Sequence, residues 1–140
     1  MAGVFFAFDT AVMPALRRQP KPSGTATMNT INLVIVNPVF LLLFTGTALI
    51  CAALVVLAFL SDEPHAAWRV AGAAIYLVGS FVVTAAVNIP LNNRLADVGP
   101  ADPDAEATWD DYLSRWTAWN HVRTVSSLAA AVLLAAAAAS

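Results

Sequence analysis

The chain has 140 residues, of which 59% are hydrophobic and only 11% charged, with a net charge of −2; an ordinary soluble domain is roughly 25% charged. No Asp, Glu, Lys or Arg occurs in residues 22–61, 70–93 or 124–140. A soluble globule of this size cannot hide that much apolar surface, and a chain with no basic surplus and one cysteine is neither a nucleic-acid binder nor a disulfide scaffold.

A spanning helix needs about 20 mostly apolar residues to cross a hydrocarbon core about 30 Å thick. The first apolar run, residues 2–16, is short and starts at Met1, so part of its helix is expected upstream of this start. A signal peptide is the alternative, disfavoured because no basic residue precedes the run. The basic linker 17–24 contains Pro20, Pro22 and Gly24, which break helix. Residues 25–33 read as a cytoplasmic extension of the second helix, with Pro38 either kinking it or marking its first turn. The run 39–60 spans a bilayer, with Cys51 as a small packing residue. Residues 61–65 form an acidic turn in which His65 is a solvated loop residue. The run 70–89 spans again, and Gly72, Gly79 and Ser80 permit close helix approach.

An acidic linker, 95–111, leads to the last helix. Thr108, with Asp111 three residues on, resembles a capping box that opens this helix early. Its apolar part, 125–139, is only about 22 Å long, so the Trp-rich stretch before it must enter the bilayer. The expected fold is all-α: an integral membrane four-helix bundle, one domain over 1–140, with spans near 1–16, 38–60, 70–90 and 116–139. Helices two and four extend on the cytoplasmic side, and a homo-oligomer is an open alternative. Arg17, Arg18, Lys21, Arg94, Arg115 and Arg123 stand against Arg69 alone. Loops 17–28 and 91–111 therefore face the cytoplasm and both termini lie outside the cell membrane.

Polar side chains in apolar helices are expensive, so their placement is informative. Asp9 lies about 12 Å along its helix from Arg17, and Arg123 about 12 Å from Arg115. Leu113, Trp116, Asn120, Arg123 and Ser127 follow spacings of three and four, hence one helix face, flanked by His121 and Thr124. Asn88 and Asn92 flank Pro90, and Asn32 and Asn37 lie at the start of the second helix. Together they predict one pocket at the inner-leaflet end. The plainer readings are Trp109 and Trp119 as interface anchors, the asparagines as interhelical glue or as partners for backbone freed near Pro38 and Pro90, and an Asp9–Arg123 pair that merely holds the bundle. Pro14 and Arg18 faintly echo Pro90 and Arg94.

The runs GVFFAFDTAVMPALRR, INLVIVNPVF, NIPLNNRLA and YLSRWTAWNHVRT resemble the anthrone oxygenase-like family of small integral membrane proteins. The resemblance implies a four-helix membrane fold and, for the polyketide members, oxidation of an anthrone to an anthraquinone with dioxygen; most bacterial members have no known function. It marks Asn37, Asn88, Asn92, Trp116, Asn120, His121 and Arg123, with Asp9 in a matching run. For that chemistry the expected catalytic set is His121 as base, Asp9 as second choice, and Arg123 and Asn120 as donors to the oxyanion. Trp116, Trp119, Asn37, Asn88 and Asn92 are the expected substrate-binding set. No cofactor is expected; a metal at His121 is a variant, though one imidazole, one carboxylate and amides make a poor soft-metal site. The expected partners are the lipid bilayer and an apolar aromatic small molecule. The rival reading is a non-enzymatic binder or assembly subunit whose polar cluster is structural.

Overall fold

The computed structural model describes residues 1–60, 66–99 and 101–139. The expected acidic turn with His65 lies outside the described residues. Among the described residues all regular structure is helical. The rods are α1 (residues 2–17), α2 Lys21–Ile35, α3 Pro38–Leu60, α4 Ala66–Asp97 and α5 Ala105–Ala139. α5, about 52 Å long, is the rod on which α1, α2 and α4 pack, and α3 packs on α4. α3, α4 and α5 are each long and apolar enough to cross a membrane, whereas α1 is about 24 Å long. Many large apolar side chains face outward, Leu33 (79% exposed) and Phe59 (80% exposed) among them.

α1 and α4 are not uniform. Wider π-type turns occupy Phe8–Val12, Leu77–Val82 and Thr84–Asn88. Two of them precede Pro14 and Pro90. A proline ring collides with the carbonyl four residues back, which belongs to Thr10 and Ala86, and widening the turn there relieves the collision. The faint echo between Pro14 and Pro90 is thus one backbone device used twice.

Two boundaries differ from expectation. Residues 21–35 form a separate helix with Pro22 and Gly24 inside it, because a proline is tolerated in a first turn. The chain breaks at Val36–Asn37, and Pro38 takes the second of its two expected roles by opening α3. Asn37 Oδ1 accepts from the N–H groups of Val39 (3.1 Å) and Phe40 (3.0 Å). An N-cap asparagine before a proline at the first helical position satisfies donors that the break would orphan. α5 opens at Ala105, where the N–H of Thr108 donates to the Asp104 carbonyl at 2.9 Å. The expected Thr108–Asp111 capping box therefore sits inside the helix.

The core has two parts. Near α2 it is built of Phe8, Met13, Met28, Trp109, Tyr112 and Trp116, among others. At the opposite end it is built of Ala48, Cys51, Ala73, Tyr76 and Ala130. Exposed ion pairs gather at the α2 end: Lys21 with Asp110 (2.8 Å) and Glu106 (3.3 Å), and Asp111 with Arg94 (3.1 Å) and Arg115 (3.4 Å). The hydrogen bond to Asp110 holds the Lys21 ammonium above its ordinary value.

Candidate functional site

The predicted face of α5 is buried: Leu113, Trp116, Asn120, Arg123 and Ser127 all point inward. The Arg123 guanidinium lies between two rings, 4.6 Å from the centroid of Phe5 and 4.9 Å from that of Trp116. This is cation–π geometry. Its Nη2 donates to Asn120 Oδ1 at 2.6 Å and its Nη1 to Thr84 Oγ1 at 3.2 Å. Asn120 in turn donates to the Phe5 carbonyl (2.8 Å) and to Asp9 Oδ1 (2.5 Å). Asp9 Oδ2 accepts from Thr124 Oγ1 at 2.5 Å. The guanidinium and the carboxylate are thus joined through an amide.

Behind Arg123, Thr84 Oγ1 donates to the Ser80 carbonyl (2.7 Å), and the Ser80 and Ser127 hydroxyls share a hydrogen bond of 2.7 Å. Asp9, Ser80, Thr84 and Asn88 all belong to π-type turns. The local widening turns polar groups of two helices toward α5, and π-type turns commonly host such sites.

Beside Arg123 is a cavity of about 200 Å³. Phe5, Phe8, Phe40, Phe44 and Trp116 give it aromatic walls, and Asn32, Thr84, Asn88, Asn92 and Arg123 give it a polar side. Four buried polar atoms on these residues have no hydrogen-bond partner: Arg123 Nε, Trp116 Nε1, Asn32 Nδ2 and Asn88 Oδ1. Native interiors rarely leave such atoms alone, so each calls for an explanation. Three donors and one acceptor on the wall of one aromatic cavity suit an aromatic molecule that carries oxygens. A wider hollow of about 610 Å³ near Lys21, Asp102 and Glu106 shares no residue with this cluster.

The structure brings together Asp9, Asn88, Trp116, Asn120 and Arg123, with Asn92 on the cavity wall and its Oδ1 accepting from Tyr112 Oη at 2.9 Å. Of the other three expected residues, His121 reaches the group through Asp9, while Asn37 and Trp119 stay outside it. Asn37 is exposed and used as a helix cap. Trp119 is 38% exposed and lines no part of the cavity. The His121 side chain is 59% exposed, its Nδ1 3.1 Å from Asp9 Oδ1 on the outer side of that carboxylate, and it too is absent from the cavity wall. The cause is helical phase: Trp119 and His121 lie about 100° to either side of Asn120. Among the described residues no three His, Cys, Asp or Glu side chains converge, and a metal at His121 would meet one carboxylate.

Sequence reasoning missed Phe5, Ser80 and Thr84. Ser80, Thr84 and Asn88 recur every fourth residue of an apolar helix, a polar stripe that was there to be read.

Compared with known proteins, the family model described as anthrone oxygenase matches residues 40–133. The chain belongs to the anthrone oxygenase family. No curated protein and no solved structure matches it. The anthrone oxygenase match takes in Thr84, Asn88, Asn92, Trp116, Asn120 and Arg123, whereas Phe5, Asp9 and Asn37 precede it. The ring over Arg123 and the carboxylate behind Asn120 are therefore supplied by α1, outside the matched region.

Proposed function

We propose that the chain is a multi-pass membrane protein that oxidises an anthrone-type aromatic ketone with dioxygen. In this reading α1, α3, α4 and α5 cross the bilayer, loops 17–28 and 91–111 are cytoplasmic, and both termini lie outside. The apolar lengths of α3, α4 and α5 support it, as does the collection of Arg17, Arg18, Lys21, Arg94 and Arg115 at the α2 end.

An anthrone has an acidic ring CH₂ opposite its carbonyl, and losing that proton spreads negative charge onto the oxygen. The anion passes one electron to dioxygen, the two radicals join at the ring carbon, and the protonated peroxide loses water. The balance is R₂CH₂ + O₂ → R₂C=O + H₂O. The part assigned to this chain is charge stabilisation: Arg123 and the Trp116 N–H meet the oxyanion where little water competes, while the Phe and Trp faces hold the rings. Neither carboxylate nor imidazole lines the cavity, so no residue of its wall is assigned the proton removal.

The observation that carries this reading is the ring-clamped Arg123 on the wall of an aromatic cavity. Purified protein supplied with an anthrone under oxygen should accelerate quinone formation, and Arg123→Met should lose about 100-fold or more of that acceleration. Equal rates for the two proteins end the proposal. A structural reading is favoured by one specific observation, the hydrogen-bonded chain of Asp9, Asn120, Arg123, Thr84, Ser80 and Ser127 that ties α1, α4 and α5. Asn88→Leu separates the two: lost turnover with retained stability supports the enzyme, and lost stability alone supports the strut.

A further inference from the structure

We propose that ligands enter this cavity sideways from the hydrocarbon of the bilayer, through a window at the α2–α3 break, with their oxygen-bearing edge leading. The inference rests on the membrane placement and aromatic ligand proposed above.

The cavity has a polar inside and an apolar mouth. Its most buried lining residues are Asn88 (1% exposed), Phe5 (3%), Trp116 (4%) and Arg123 (5%). The lining residues that reach the surface are Val4 (37%), Leu41 (43%), Ile89 (46%) and Val36 (61%). All four are apolar, and they come from α1, α3, α4 and the break itself. Around them Leu33, Val34 and Val39 also face outward. The exposed part of the mouth is apolar, and the half-buried Asn32, Thr84 and Asn92 lie behind it. A molecule dissolved among acyl chains meets like surface first and reaches the most buried polar groups, on Asn88 and Arg123, last.

The window exists because the chain is not helical at Val36–Asn37, where Val36 has φ −79° and ψ 64°. Irregular backbone at membrane depth is tolerated where it lines a cavity and its polar groups are satisfied. Asn37 supplies that satisfaction from the outer side. The volume agrees with lateral entry. About 200 Å³ falls below the roughly 300–1,000 Å³ that encloses a typical ligand. A three-ring molecule therefore seats its oxygen edge at Arg123 and leaves its far ring between Val36, Leu41 and Ile89, against lipid. The site then selects neutral flat molecules and rejects those with an ionic group on the trailing edge.

The test uses the full chain in phosphatidylcholine vesicles. Val36→Cys in a Cys51→Ala background, labelled with bimane, should be quenched by brominated acyl chains and not by aqueous iodide, while a Glu106→Cys control shows the reverse. Iodide quenching at position 36 as strong as in the control overturns the window. Neutral 1,8-dihydroxyanthraquinone should bind the wild type at least tenfold more tightly than anthraquinone-2-sulfonate, and Val36→Arg should weaken it at least tenfold. Equal affinity for the two quinones, or an unaffected Val36→Arg variant, also overturns it. If neither quinone binds while position 36 is quenched from lipid, the aromatic-ligand reading fails and the window stands.

Discussion

At the α2 end, α5 meets its neighbours through a ladder of large rings. Trp109, Tyr112 and Trp116 stack along it with centroids 5.8 and 6.1 Å apart. At the opposite end α4 presses directly on α5 over Gly72 and Gly79, where a Cβ would strike Leu134 and Ser126. Small residues let backbones touch; bulky ones hold helices apart and leave room between them. The candidate site lies where the bundle is wedged open, and buried polar atoms on its wall have no partner within the protein. The difference teaches that this cavity follows from side-chain size as much as from polarity.

Asp9→Ala should break the wedged end most severely, because it strips the carboxylate from a network holding a buried guanidinium. Leaving the Asn120 amide and the Thr124 hydroxyl without their charged acceptor costs about 1.5–3 kcal/mol for each lost bond, to be read from thermal unfolding in detergent, with loss of anthrone turnover alongside. Gly72→Ala tests the other end. Its Cβ would lie 2.9 Å from Leu134 Cγ and 3.2 Å from the Ala130 carbonyl, so overpacking of about 1–3 kcal/mol is expected. Turnover per folded molecule should be unchanged, and a parallel fall in both would erase the distinction between the ends. Tyr112→Phe removes the hydrogen bond to Asn92 and should cost about 1 kcal/mol, with weaker quinone binding as the readout. His121→Ala should leave most turnover intact, since the imidazole lies outside the cavity wall; a loss as large as that of Arg123→Met returns it to the role of base.

Lys21→Met should have the smallest effect, its pairs being exposed. The Lys21 pKa is raised from 10.5 mainly by the Asp110 hydrogen bond. Its contribution is therefore complete below about pH 10.5 and disappears as pH climbs through the higher folded value. Wild type and variant should differ slightly at neutral pH and converge in strong alkali.

Much of this was legible beforehand. The α5 stripe follows from spacing alone, and it places Trp116, Asn120 and Arg123 correctly. Helix type and the long apolar runs follow from composition. Trp119 and His121 flank that stripe, as phase counting shows, and of the two His121 reaches the network, through Asp9. Asn37 was weighed both as ligand contact and as partner for backbone near Pro38, and only the break decides between them. Phe5 was harder, because a widened turn shifts the phase of what precedes it and a regular 100° wheel misplaces it. The two prolines were the available clue.

A π-type turn is, in effect, an α-helix with one residue inserted. The segment Phe8–Val12 therefore acts as a vernier on α1: deleting a single residue there, Ala11 for instance, would restore regular winding and swing Phe5 by about 100°. The ring now covering Arg123 would then face elsewhere, although every residue lining the cavity would still be present. Chain length in this short stretch, rather than the identity of any side chain, sets whether the guanidinium is roofed.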